Sequence, residues 1–178
     1  MSALQGRGRR VSLVYQAPAA APITGKEPHI DPTEPCGALA DYYRAFNSRN
    51  FQLMELNWSD CDNVSMDSPL GGTQNGWTRI SRIYRKLFRG TNVVTLELHE
   101  YSIHEVGETF LAVGLERGCY LNDAIALDLT IRSSRWFRQM YGRWRQYHHH
   151  GSIDDANLLA RLQGLLGDCA AADQLGRP

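Results

Sequence analysis

Lysine is nearly missing from this chain. Only Lys26 and Lys86 occur, and arginine supplies the rest of the 19 basic residues, which balance 19 acidic ones. The formal charge is zero, which argues against a broad basic surface for nucleic acid or an anionic membrane. Cysteine is scarce as well. Cys36, Cys61, Cys119 and Cys169 are scattered with no C-x-x-C pair, so free thiols in a reducing cytoplasm are expected. No run approaches the ~20 apolar residues that a membrane helix requires.

What remains is one domain with tails, since 178 residues suffice to bury a core without covalent staples. Residues 1–35 are rich in Pro, Ala and Gly, with a basic cluster at Arg7, Arg9 and Arg10. They are expected to form a disordered tail. The apolar run Val11–Tyr15 is shorter than the roughly 7–15 residues of a signal-peptide core. Arg9-Arg10 leaves a twin-arginine signal open, and the Arg-rich, acid-poor start leaves an organelle transit peptide open. The folded domain is expected over 36–153, with a final helix and a frayed tail over 154–178.

Leu39, Tyr42, Tyr43 and Phe46 fall at i, i+3, i+4 and i+7 and predict a helix from Cys36 to Ser48, capped by Thr33 or Asp31 ahead of Pro35. A short helix over Asn50–Trp58 and a short strand over Asn63–Asp67 follow, and the strand is ended by Ser68-Pro69-Leu70-Gly71-Gly72. Trp77, Ile80, Ile83, Tyr84, Leu87 and Phe88 recur at helical spacing, with basic residues mainly on the other side and Gly90 as the stop.

The period then changes to two. Val94, Leu96 and Leu98 alternate, and Tyr101 and Ile103 continue with opposite parity, a slip that predicts a bulge near His99-Glu100. Strands over Phe110–Tyr120 and from Ile125 onward come next. Aromatic flanks around Tyr141-Gly142 then predict a hairpin. Asp154 caps a last helix striped by Leu158, Leu159, Leu162, Leu165 and Leu166. Helices first and meandering strands afterwards make an α+β domain, with helices on one face of a bent antiparallel sheet.

Strict alternation from Ile125 puts Leu127, Leu129, Ile131, Ser133, Arg135 and Phe137 on one buried face. A guanidinium there must be paired or must look into a polar cavity. Its planar fork suits a carboxylate or phosphate; the alternative is an internal acid such as Asp67 or Glu116. On the next strand, alternation from Trp144 puts His148 and His150 on one face with Gln146, and turns His149 away with Tyr147. Two His at i, i+2 could bind a metal, with His99 or His104 as a third ligand. No acid neighbours them at ligand spacing, so neither metal nor cofactor is expected. Trp136, Tyr147 and Trp144 give more aromatic surface than one small core can hide, and predict a homodimer packed sheet against sheet.

The segment Ser134-Arg135-Trp136-Phe137, the G-x-W of Gly142–Trp144 and the H-x-H-x-S of His148–Ser152 resemble the last hairpin of the nuclear transport factor 2-like superfamily. The resemblance is to its SnoaL-like members and to the association domain of calcium/calmodulin-dependent protein kinase II. It covers about residues 36–153 and implies a cone with a pocket between the first helix, the third helix and the concave sheet face. It also implies that Arg135 lines that pocket, with Arg117 only loosely matching a further pocket arginine. The likeness to the association domain alone implies a larger homo-oligomer as the alternative to a dimer. Steroid isomerases of this superfamily place a Tyr where Tyr42 stands, but their catalytic Asp falls on Ser68, with Asp67 one residue early, and their second acid falls near Ser134. A serine of ordinary pKa cannot shuttle a proton as a carboxylate does.

Three readings of function follow. The leading one is a pocket that takes a small acidic molecule on Arg135, with Tyr42, Trp77 and Arg117 around it. The second is an isomerase, cyclase or hydrolase using Tyr42, Asp67, His148 or His150. The third is an oligomerisation module whose pocket is incidental.

Overall fold

The computed structural model describes residues 13–16, 21–28 and 31–171. Eleven elements follow in order: β1 (Leu13–Gln16), α1 (Pro35–Asn47), α2 (Phe51–Asn57), β2 (Ser65–Asp67), β3 (Thr73–Asn75), α3 (Trp77–Arg89), β4 (Val93–Val106), β5 (Thr109–Leu121), β6 (Ala126–Met140), β7 (Arg143–Ser152) and α4 (Ala156–Ala171). The strands form one curved sheet in the order β1-β4-β5-β6-β7-β2-β3. Every pairing is antiparallel except that of β2 with β7. The α+β architecture is the expected one.

The sheet bends where the sequence slips. Between β4 and β5 the register shifts between His99 and Ser102, and Glu100 adopts a positive φ of 49°. Leu96 and Leu98 before the bulge, and Tyr101 and Ile103 after it, therefore all face inward. Opposite them, β5 runs too close to β4 for side chains at two places. A Cβ on Gly118 would meet Thr95 O at 1.8 Å, and one on Gly114 would meet Tyr101 Cβ at 2.8 Å. Tyr141 and Gly142 both have positive φ, 51° and 75°, the pattern of a two-residue hairpin turn whose twist suits the flanking strands.

Pro35 opens α1, where a missing N–H costs nothing. The helix lays Leu39, Tyr42, Tyr43 and Phe46 on the concave face. Asn47 fastens its end: Nδ2 donates to Leu96 O at 2.8 Å, and Oδ1 accepts from Leu96 N at 2.9 Å. The cap is Glu34, which makes no side-chain bond; Asp31 instead accepts from Thr33 N at 2.9 Å, so neither Thr33 nor Asp31 caps the helix. At α4 the cap lies one residue later than expected. Asp155 Oδ1 accepts from Asn157 N at 2.8 Å, while Asp154 pairs with Arg132 at 2.7 Å.

The expectation of a wholly disordered 1–35 is corrected. Leu13–Gln16 pairs with Ile103–Val106 of β4, and Ile23 exchanges two backbone hydrogen bonds with Leu98, at 2.9 and 2.8 Å. Ile23 itself is buried. These segments cover the otherwise open edge of β4, a common protection for a long edge strand. Arg7, Arg9 and Arg10 lie outside the described residues, as does the tail beyond Ala171. Among the described residues no helix is long and apolar enough to cross a membrane.

Candidate functional site

A cavity of about 340 Å³ lies between α1, α3 and the concave face of the sheet, with α4 and the β2–β3 turn around it. Its walls are mostly apolar. Phe46, Ile83, Leu96, Leu129, Ile131 and Leu162 are typical of them. Alternation along β6 turns Leu129, Ile131 and Arg135 into it, and the leucine stripe of α4 supplies Leu162 and Leu166. The pocket thus lies where the first and third helices face the sheet, and α4 is an addition the sequence reading did not place there.

Polar groups gather on the sheet side. Arg135, 1% exposed, donates from Nη2 to Glu116 Oε1 at 2.5 Å and from Nη1 to Gln146 Oε1 at 3.0 Å. The same Glu116 oxygen accepts from Tyr43 Oη at 2.7 Å and from Ser133 Oγ at 3.3 Å. Arg135 Cζ lies 3.6 Å from the centre of the Tyr42 ring, a cation–π contact in a desolvated place. Of the two internal acids open as partners, Glu116 is the one used. The expectation of Arg135 as an unpaired anion anchor is therefore corrected. A carboxylate brought to this guanidinium would also meet Glu116, and like charges repel strongly where water is excluded.

Tyr42 Oη and Tyr84 Oη are 3.3 Å apart. Burial pushes both phenols above their ordinary pKa, most strongly for Tyr84, with the neighbouring Tyr42 adding to it there. They are donors and acceptors of hydrogen bonds at neutral pH, not bases. Burial opposes the charge of Arg135, but the face of the Tyr42 ring and the Glu116 carboxylate outweigh it, and the guanidinium stays protonated.

The histidines divide differently from the expectation. Trp136 pairs with His148, but Phe137 pairs with Gln146, so Tyr147 is an extra residue in a bulge. Beyond it the faces exchange. His149, 5% exposed, lines the cavity directly across from Arg135. Neither of its ring nitrogens has a hydrogen-bond partner. Burial, with the Arg135 charge second, pushes its pKa well below the ordinary histidine value, so the ring is neutral.

His148 and His150 lie elsewhere, at the β2–β7 seam outside the cavity lining. His148 Nδ1 is 2.8 Å from Ser65 Oγ, and His150 Nδ1 is 3.4 Å from Asp67 Oδ2. Asp67, whose carboxyl is held below its usual range chiefly by the hydrogen bond from Thr73, is gathered with them and away from the pocket. Ser68, the isomerase base position, does line the cavity. Trp77 starts α3 and stacks between Phe51 and Trp58, at 6.3 and 6.1 Å, outside the lining. Arg117 projects from the opposite face of β5 and pairs with Glu100. Trp144 is buried, with Nε1 donating to Thr33 O at 2.7 Å, and so leaves the outer face to Trp136 and Tyr147. His99 lies 3.3 Å from Glu97 and His104 meets the Tyr15 ring at a tilt, 5.1 Å between centres, both on β4 and away from β7. Among the described residues no group of three His, Cys, Asp or Glu could hold a metal.

Glu116, Tyr43, Tyr84 and Gln146 each carried a signal of burial in the sequence, through the alternation of β5 and β7 and the helical spacing of α1 and α3. Nothing in the pattern marked His149. Comparison with known proteins places the whole in context. A family model described as a SnoaL-like domain matches residues 37–156. Among solved structures, a provisionally assigned dehydratase of the NTF2-like family from Streptomyces avermitilis is 20% identical. The match covers 67% of this chain and 92% of that one, with a TM-score of 0.61. An NTF2-like superfamily protein from Salmonella enterica is also 20% identical, with coverage of 65% and 85% and a TM-score of 0.59. A provisionally assigned association domain of calcium/calmodulin-dependent protein kinase type II from Thiobacillus denitrificans is 23% identical, with coverage of 71% and 98% and a TM-score of 0.56. At these identities the likeness is one of fold. No curated protein matches the chain.

Proposed function

The chain belongs to the SnoaL-like domain family, and from that premise we propose that it binds a small, largely apolar, uncharged molecule in its cone cavity. The observation that carries this reading is the cavity itself. About 340 Å³ of space with mostly apolar walls falls in the range of small-molecule sites, which combine apolar lining with a few polar groups that fix orientation. Charge balance argues against the acidic ligand of the sequence reading, because Glu116 already neutralises Arg135. The pairing alone would suit a mere scaffold, but a scaffold has no use for a concave apolar pocket of this size between helices and sheet.

We further propose that the protein works as a homodimer in the cytoplasm. Trp136, Leu111 and Val113 are 42%, 38% and 41% exposed on the outer face of adjacent strands, an apolar patch of the kind that marks a contact surface. The three described cysteines are free thiols, in keeping with a reducing compartment.

Thermal unfolding with a panel of aromatic and alicyclic molecules tests the binding reading. A ligand at about 100 times Kd stabilises the folded state by roughly 2.7 kcal/mol. Leu129→Trp, which fills the cavity from the sheet side, is expected to abolish that gain without lowering the melting temperature of the free protein. Failure of every uncharged probe to raise it, while carboxylates succeed, would reverse the reading.

A further inference from the structure

The cavity wall contains a polar group that the fold itself does not use. His149 sits on β7 opposite Arg135, 5% exposed, and both of its ring nitrogens are buried without a partner. Arg135 Nε is likewise buried and without a partner, although both Nη atoms of that side chain are bonded. Leaving such groups unsatisfied costs stability, and a neutral imidazole carries one donor and one acceptor that a folded protein normally pairs. Both residues line the same cavity. The unspent capacity thus lies on two neighbouring residues of the sheet-side wall, just beneath its surface.

Resting on the reading of the cavity as a ligand site, we infer that His149 is the group that reads the ligand, and that the ligand is an apolar ring compound carrying a hydroxyl at one end. A hydroxyl both donates and accepts, so it can give its hydrogen to the bare imidazole nitrogen of His149 and receive one from Arg135 Nε. A pure hydrocarbon would leave all three groups stranded. An ionised carboxylate would bring its charge towards Glu116. Selectivity of this kind is strong for a simple reason: a site with buried polar groups rejects an analogue that cannot pair them.

The probes are naphthalene, 2-naphthol and 2-naphthoate, which share a skeleton and differ only in the polar end. Affinities are measured by calorimetry on the full-length protein and on His149→Leu. In the wild type, 2-naphthol is expected to bind at least about tenfold tighter than naphthalene, the worth of one good hydrogen bond in a dry site, and 2-naphthoate weaker than 2-naphthol. In His149→Leu the preference for 2-naphthol should collapse to within about twofold while naphthalene binds at least as well as before. The melting temperature of free His149→Leu should equal or exceed that of the wild type, because an unsatisfied group has been replaced by an apolar one.

A 2-naphthol preference that survives in His149→Leu would overturn the inference, and equal binding of naphthalene and 2-naphthol by the wild type would do the same; both leave the cavity reading standing. A variant that unfolds more readily than the wild type would show that His149 serves the fold and would also overturn it. Should none of the three probes bind the wild type, the cavity reading falls and the inference with it.

Discussion

Glu116→Gln should be among the most damaging single substitutions of nearly equal shape in this protein. Both members of its pair with Arg135 are 1% exposed, and one carboxylate oxygen receives three donors, from Tyr43, Arg135 and Ser133. The amide keeps the shape and an acceptor oxygen but removes the charge, which leaves a buried guanidinium among neutral groups alone, with Gln146 and the Tyr42 and Tyr43 rings around it. Breaking a buried pair from one side costs about 3–5 kcal/mol. At the lower end of that range, a domain of this size would lose roughly 6–12 °C of melting temperature. Arg135→Met strands the carboxylate instead. Its loss should also fall near ~3 kcal/mol, because Tyr43 and Ser133 still donate to it.

The decisive measurement is the double variant. With both charges gone the desolvation penalty is gone too, and buried pairs replaced as a unit often cost little. Tyr43 and Ser133 lose the strength of a charged acceptor, about 1 kcal/mol. Arg135→Met/Glu116→Gln should therefore be more stable than either single variant, with a coupling energy of at least ~2 kcal/mol. Urea unfolding at a fixed pH supplies all four free energies. Single losses under about 1 kcal/mol, or a double loss equal to the sum of the singles, would refute the account of the pair as a mutually dependent, dry unit.

Other expectations are simpler. His149 is neutral when folded and of ordinary basicity when unfolded, so the unfolded chain binds the extra proton and stability falls as pH drops below about 6.5, by up to ~1.4 kcal/mol per unit; His149→Leu should flatten that part of a pH–stability curve measured by urea unfolding. Trp136→Arg should convert the proposed dimer to a monomer in light scattering while the circular dichroism spectrum stays unchanged. Gly118→Ala should cost ~1–3 kcal/mol or more, since its Cβ would overlap Thr95 O on β4. Gly164→Ala, within α4 with nothing within 4 Å of the added Cβ, should instead gain about 0.5–1 kcal/mol in the same assay.

Much of the fold was legible because the apolar pattern changes period where the architecture changes. Four helices, the four long strands, the Tyr141-Gly142 turn and the bent sheet follow from residues that either bury or do not. Two short strands were not legible for physical reasons. Thr73–Asn75 is three residues with no apolar side chain, and Leu13–Gln16 gains its structure only from the β4 edge it covers. The pairing of Glu116 with Arg135 was half legible. Alternation places both on the inner face, but which acid meets the guanidinium depends on the strand register, and a single sequence does not print it.

The two bulges show where such reading stops. At His99–Ser102 the flanks are apolar, so the slip is written as a change in which positions are greasy, from Leu96 and Leu98 to Tyr101 and Ile103. At Tyr147 the residues beyond the slip are His148, His149, His150 and Gly151, and no apolar alternation exists there to change parity. Strict alternation then assigns His148 and His150 to the face of Gln146, whereas the extra residue gives that place to His149. The mistake concerns the candidate site because a site strand must carry polar groups inward. Polar residues on both faces erase the contrast from which a face is read. What fixes the face here is backbone pairing: Trp136 with His148 on one side of the bulge and Phe137 with Gln146 on the other. A pocket lined through a bulged polar strand is therefore hidden at the very residue that the bulge turns inward.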